Sequence, residues 1–219
     1  MKKLIMVAAL IAAPISAHAQ DLNYGAVEDG TDVATLTAGA EQGFVVGAGY
    51  ARAISVADRL LVLGGDLELD WAEIDIDDFR MQAGASAPIV THRRLQLIGS
   101  LAGVVRGTNN DAARMINVGV DAAVLGGYYA PRWFVAGEVG FDWAGATHIT
   151  HSDTYRMVVY ADAKDGWYGN TAGTFRYGIQ AGLSFAGNDV VLRAGRLMDV
   201  AGNPALFPIY ATLAYDRRW

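Results

Sequence analysis

LVLGGDLELDW, residues 61–71, alternates without a break. Leu61, Leu63, Gly65, Leu67, Leu69 and Trp71 share one phase, and Val62, Gly64, Asp66, Glu68 and Asp70 the other. A period of two belongs to extended chain, whose successive side chains point to opposite faces. One face of this strand is therefore apolar and the other carries carboxylates. The pattern recurs. Trp133, Val135, Gly137, Val139, Phe141 and Trp143 alternate with Ala136, Glu138, Gly140, Asp142 and Ala144, and Phe175, Tyr177, Ile179, Ala181, Leu183 and Phe185 with Arg176, Gly178, Gln180, Gly182 and Ser184. Residues 116–128 keep the same phase, with Asn117 and Asp121 on the minor face.

Ten such segments are predicted, at 33–41, 44–54, 60–72, 79–90, 95–106, 114–129, 133–147, 174–186, 190–200 and 207–219. Loss or merger of a hairpin gives eight, and an even number is expected either way. The connections alternate in character: short turns at 130–132 and 187–189, and polar loops at 73–77, 108–113 and, longest, 150–173. One end of the sheet is trimmed and the other elaborated.

The first residues read differently. Lys2 and Lys3 precede an apolar run at 4–13 and the small-residue site Ala17-His18-Ala19. This is the pattern of a secretory signal at 1–19, cut before Gln20. A polar lead-in, 20–32, then precedes one domain, 33–219. Beyond the signal no run reaches the roughly 20 apolar residues a membrane helix needs. The chain is nevertheless 53% hydrophobic, which suits an all-β domain or a membrane β-barrel. It has no cysteine, so it has neither a disulfide framework nor a thiolate metal site. With 17 basic and 23 acidic residues, nucleic acid is not an expected partner.

Two features place the apolar phase outside. Aromatics gather near strand ends (Trp71, Trp133, Trp143, Phe175, Phe185, Tyr215, Trp219), as an interfacial girdle would. The minor faces are rich in Gly, Ala and Ser with isolated charges, as the cramped interior of a small barrel requires. The expected fold is thus all-β: a transmembrane antiparallel up-and-down β-barrel. Asp66, Glu68, Asp70, Asp121, Glu138 and Asp142 then share the interior phase with Arg80, Arg106, Arg176 and Arg193. Charges of both signs enclosed together should pair, because each carries a desolvation penalty of about several kcal/mol when unpaired. The expectation is a salt-bridged lumen plug.

The chain closes on PIYATLAYDRRW, with Ile209, Ala211, Leu213, Tyr215, Arg217 and Trp219 in one phase. A terminal aromatic preceded by apolar residues at every second position resembles the closing strand of bacterial outer-membrane β-barrels. The resemblance implies that Ile209, Ala211, Leu213, Tyr215 and Trp219 are read by the barrel-assembly machinery. It also implies a cell-envelope location in the outer membrane, against the lipid bilayer and lipopolysaccharide. Arg217 departs from the usual apolar preference.

The one stretch suggesting chemistry is THITHSDTY, residues 147–155, with His148, His151, Ser152 and Asp153 as candidates for a hydrolase site or a metal clip. On a strand, residues three apart point to opposite faces, as do adjacent His and Ser. A solvated loop is therefore the default, with no catalytic residue, metal or cofactor assigned. Outer-membrane lipid A deacylases and omptin proteases offer only partial parallels (His151-Ser152, Asp77-Asp78), and neither transfers residue by residue. The leading expectation is a non-enzymatic barrel serving envelope structure or surface-loop interaction with an unknown ligand. A rim-sited hydrolase on lipid or peptide comes second and a small, porin-like pore third.

Overall fold

The computed structural model describes residues 21–40, 43–71 and 77–219, so the signal expected at 1–19 lies outside the described residues. The strands are β1 (Asp32–Ala40), β2 (Phe44–Val56), β3 (Arg59–Asp70), β4 (Phe79–His92), β5 (Leu95–Asn109), β6 (Ala113–Ala130), β7 (Trp133–His151), β8 (Gly166–Phe185), β9 (Asn188–Asp199) and β10 (Pro204–Arg218). A single helical turn, α1 (Asp153–Val158), joins β7 to β8. Every neighbouring pair is antiparallel, and β1 pairs with both β2 and β10, so the ten strands form a closed up-and-down barrel. The eight-stranded alternative is set aside.

Closure is sewn at the ends of the chain. The amide of Asp32 donates to the Trp219 carbonyl at 3.0 Å and the amide of Trp219 to the Asp32 carbonyl at 3.1 Å. No sheet edge is left, which is the only arrangement in which strands can satisfy their backbone groups within hydrocarbon.

Strand parity sorts the side chains. On β7, Val135 and Val139 are exposed while Phe134, Ala136 and Glu138 are buried. On β8, Ile179 and Leu183 are exposed while Arg176, Gln180 and Ser184 are buried. On β10, Ile209, Leu213 and Tyr215 are exposed and Tyr210, Thr212, Ala214 and Asp216 are buried. A surface this apolar is unsuited to water. Its height is also informative: Trp133 and Trp143 lie ten residues apart on the outer face of β7, or about 33 Å along the strand at about 3.3 Å per residue. A tilt of about 40° reduces that to about 25 Å, the height of the apolar band of a membrane barrel.

At the short-turn end the lumen holds a hydrophobic cluster that includes Val33, Ala53, Val62, Ile98, Leu125, Tyr129, Phe134 and Val191. Tyr129 and Phe134 stack at 5.3 Å with an interplanar angle of 8°. Gly182, paired with Phe134 across β7 and β8, makes the room, since a Cβ there would lie 2.2 Å from the ring. The segment expected as a polar lead-in is part of this packing. Leu22, Asn23, Tyr24 and Val27 are buried inside the barrel, and Leu22, Tyr24 and Val27 join the cluster.

The longest connection is shorter than the 150–173 read from polarity. β7 and β8 stay paired through Thr147–Tyr168, His148–Trp167 and Ile149–Gly166, so only 152–165 connects them. Polar side chains do not end a strand whose backbone partner continues. Residues 157 and 158, within the stretch read as loop, close α1.

Val139 lies between the two tryptophans, near the middle of the apolar band. Val139→Arg is expected to destabilise the barrel by about 2–4 kcal/mol. Equilibrium urea unfolding in lipid vesicles measures it, and an effect below the error would place that face away from hydrocarbon.

Candidate functional site in the lumen

Above the hydrophobic cluster the interior becomes ionic. Glu138, on β7, accepts from Arg176 Nε at 2.6 Å through one oxygen and from Arg193 Nε at 2.6 Å through the other, with a further Arg193 donor at 2.5 Å. Arg176 reaches past it to form a fork with Asp121, one arm at 2.8 Å. The Arg193 guanidinium also lies 5.0 Å over the ring of Tyr210, a cation–π contact. These four charged side chains are at most 4% exposed. Arg176 needs the absent side chain of Gly140 opposite, where a Cβ would come within 2.6 Å of its guanidinium carbon.

A second layer lies toward the long loops. Arg80 bridges Glu68 at 3.4 Å and Asp142 at 3.3 Å, with Asp121 at 3.8 Å. Arg106 binds Asp142 and donates to Asn117 at 2.9 Å, and Asn117 donates to Thr147 Oγ1 at 2.8 Å. Asp66 is buried on β3 opposite Gln82, and Asp70 sits half-buried at the loop-end rim. Two cavities open above this floor. One, of about 290 Å³, is lined by Glu68, Asp70, Arg80, Arg106, Asp142 and Arg176 among others. The other, of about 440 Å³, shares Arg106 and Asp142 and adds Asn117, Thr147 and Ile149. Together they form a vestibule that ends on paired charges.

Sequence reading missed how the opposite end is stopped. Asn23 donates to the Ala130 carbonyl at 2.9 Å and to Ser184 Oγ at 2.8 Å, Tyr24 hydrogen-bonds Ser86, and the Tyr24 ring meets Tyr129 edge-on. Arg218 holds the Ala26 carbonyl and, at 3.0 Å, Asp189. The parity of β10 already turned Arg218 and Asp216 inward. Nothing in a segment without alternation announced that it would fold back inside.

The histidine stretch is pulled apart. A bulge at Gly145 shifts the register of β7 against both β6 and β8 and reverses its parity beyond that point. Thr147 is buried, whereas His148 meets Trp167 edge-on at 5.3 Å. His151 stacks on Tyr155, and its Nδ1 lies 3.0 Å from Asp165. Ser152 caps α1, accepting from the Tyr155 amide at 3.0 Å, and donates to the Asp111 carbonyl at 2.6 Å. Asp153 points into solvent, 3.8 Å from Arg156. Among the described residues no three of His, Asp and Glu converge as a metal site would need.

A ten-stranded closed barrel with an apolar exterior and an ionic interior is a membrane β-barrel. No protein-family model matches the chain, and no curated protein matches it in sequence. In fold it is similar to an outer-membrane channel from Pseudomonas putida F1, with a TM-score of 0.55 and 14% identity over 92% of this chain and 100% of that one. At that identity the likeness is one of fold alone.

Two substitutions probe these contacts. Glu138→Ala leaves two enclosed guanidinium groups without their shared acceptor, and a loss of about 3–5 kcal/mol is expected in unfolding experiments. In the β7–β8 connection, the His151 amide, the His151 ring and Arg156 hold the Asp165 carboxyl at about 2, below its usual value. A depressed carboxylate contributes its stability fully above the unfolded value of about 4 and loses it as the pH falls through the folded value. The hydrogen-exchange protection of residues 152–165, taken relative to the intrinsic exchange rate at each pH, should therefore fall between about pH 4 and pH 2, and Asp165→Asn should abolish that step.

Proposed function

We infer that the chain is an integral outer-membrane barrel with a closed lumen that serves the envelope without catalysis, anchoring surface loops in the bilayer. The observation that carries this reading is the occupied interior. Residues 21–27, the Tyr129–Phe134 stack and the Glu138–Arg176–Arg193–Asp121 layer follow one another along the axis. Small barrels of this kind are commonly filled by side chains rather than water.

Further observations support it. In membrane barrels of this kind the short turns face the periplasm and the longer loops the exterior, which would orient the vestibule outward. The secretory signal at 1–19 and the closing strand, with Ile209, Leu213, Tyr215 and Trp219 on its outer face, fit export and handling by the barrel-assembly machinery. The outward connection also displays Met157, Val158, Val159 and Tyr160, all more than half exposed, which favours contact with a surface partner over mere solvation. His151 and Ser152 are committed to loop architecture, which lowers the case for a hydrolase.

A pore is the second reading, favoured by the vestibule and by the fold shared with a channel. Purified protein that shows heat-modifiable electrophoretic mobility is expected to give no steady conductance in a planar bilayer. Steady conductance would replace the closed-lumen reading with the pore, and loss of heat-modifiable mobility would remove the membrane barrel itself.

A further inference from the structure

The two rims of the barrel differ in charge. At the loop end, the described connections carry exposed Asp111, Asp153, Asp162 and Asp165 against one exposed basic residue, Lys164. At the short-turn end the exposed charge from β4 round to β10 is arginine: Arg93 and Arg94 between β4 and β5, Arg132 between β6 and β7, and Arg217 on the outer phase of β10. The β4–β5, β6–β7 and β8–β9 turns contain no carboxylate. The exposed carboxylates at this end, Glu28, Asp29 and Asp58, lie beside β1, β2 and β3, on the other side of the barrel.

The arc is built into the backbone. The Arg94 carbonyl accepts from the Tyr129 amide and the Arg132 carbonyl from the Ser184 amide, both at 2.8 Å, which ties each turn to the next strand. Arg93 holds φ at 58°, a left-handed conformation for which Gly or Asn is the inexpensive choice. Arg94 donates to the Tyr128 hydroxyl at 3.2 Å, and Tyr128 stacks on Trp133 at 5.1 Å with a 24° interplanar angle. The Arg94 guanidinium therefore stands directly beside an aromatic platform at the edge of the apolar band, with Arg93 in the same turn and Arg132 in the β6–β7 turn.

That combination matches one molecular chemistry, a phosphodiester with no compensating cation lying above acyl chains. Arginine forks onto phosphate oxygens, and an aromatic ring at the interface packs on the glycerol and upper chain. We propose that the arc formed by Arg93, Arg94 and Arg132 with Tyr128 and Trp133 is a binding surface for anionic glycerophospholipid headgroups in the leaflet at the short-turn end. The proposal rests on the membrane-barrel reading. It adds a selective leaflet contact on one side of the molecule, opposite the acidic loops.

Native mass spectrometry tests this with the full mature protein in micelles doped with equal phosphatidylglycerol and phosphatidylcholine of the same chain length. Retained lipid is expected to be predominantly phosphatidylglycerol. Each arginine near a phosphate layer is worth about fivefold, so R93Q/R94Q/R132Q should lower the preference at least about tenfold. R114Q/K164Q, at the loop end, should leave it unchanged. Excess inorganic phosphate should not displace the lipid, and displacement would make this a free-phosphate site and overturn the assignment. Equal retention of the two lipids by the wild type overturns it as well, and needs no variant to fold. Heat-modifiable mobility, measured on every sample, separates failure of this proposal from failure of the barrel.

Discussion

Glu138 accepts from two arginines at once, and the rest of the interior is arranged around that necessity. At the level of Glu138 the interior of this barrel is packed with side chains, so an inward carboxylate there must find a cation within reach. Arg176 and Arg193 supply it from β8 and β9, and Arg176 then passes the problem to Asp121 on β6. Four strands are thereby held in one register by side chains as well as by backbone. The geometry tolerates no extra atom: Gly140 and Gly182 are positions where a β-carbon would collide with Arg176 or Phe134. Small residues on the inner face are the complement of large ones opposite.

How much of this was legible in the sequence depends on period. Wherever alternation runs unbroken, as at 61–71 and 133–144, reading parity was enough to sort exposed residues from buried ones. Legibility stops where parity breaks. The bulge at Gly145 turns Thr147 inward and carries His148 out to Trp167, and the one local cue in GATHITH, Gly145 itself, is no different from the many other strand glycines of the chain. The same limit hid the continuation of β8 back to Gly166, because polar side chains above the bilayer look like loop even when the backbone is paired. Residues 21–27 were opaque for a different reason. Their burial depends on contacts with residues more than a hundred positions away, such as Asn23 with Ala130 and Ser184.

The exterior and interior solve opposite solvation problems with one backbone. Outward residues need only be apolar, so Leu, Val, Ile and Ala interchange there and little specificity is stored. Inward residues must match in volume and charge across two or three strands, and there the sequence becomes particular: Phe134 with Gly182, Arg176 with Gly140, Asn117 with Thr147. The loops share this inward logic, since Asp165 organises His151 and Arg156 as a small polar network above the barrel.

The folded-back segment before β1 carries a consequence for the order of assembly. Asn23 needs the carbonyl of Ala130 and the hydroxyl of Ser184, and Arg218 needs the carbonyl of Ala26, so its seat does not exist until β6, β8 and the last strand are in place. The first part of the domain to be synthesised is thus the last to find its partners. β1 likewise waits for β10, a pairing that spans nearly the whole domain and is slow to form unaided. A chain that inserts with a strand missing or out of register has no seat for Asn23 or Tyr24, and their apolar neighbours stay in the open. The segment therefore docks as a latch only on a completed cylinder, because its partners come from the middle and the last strands of the fold.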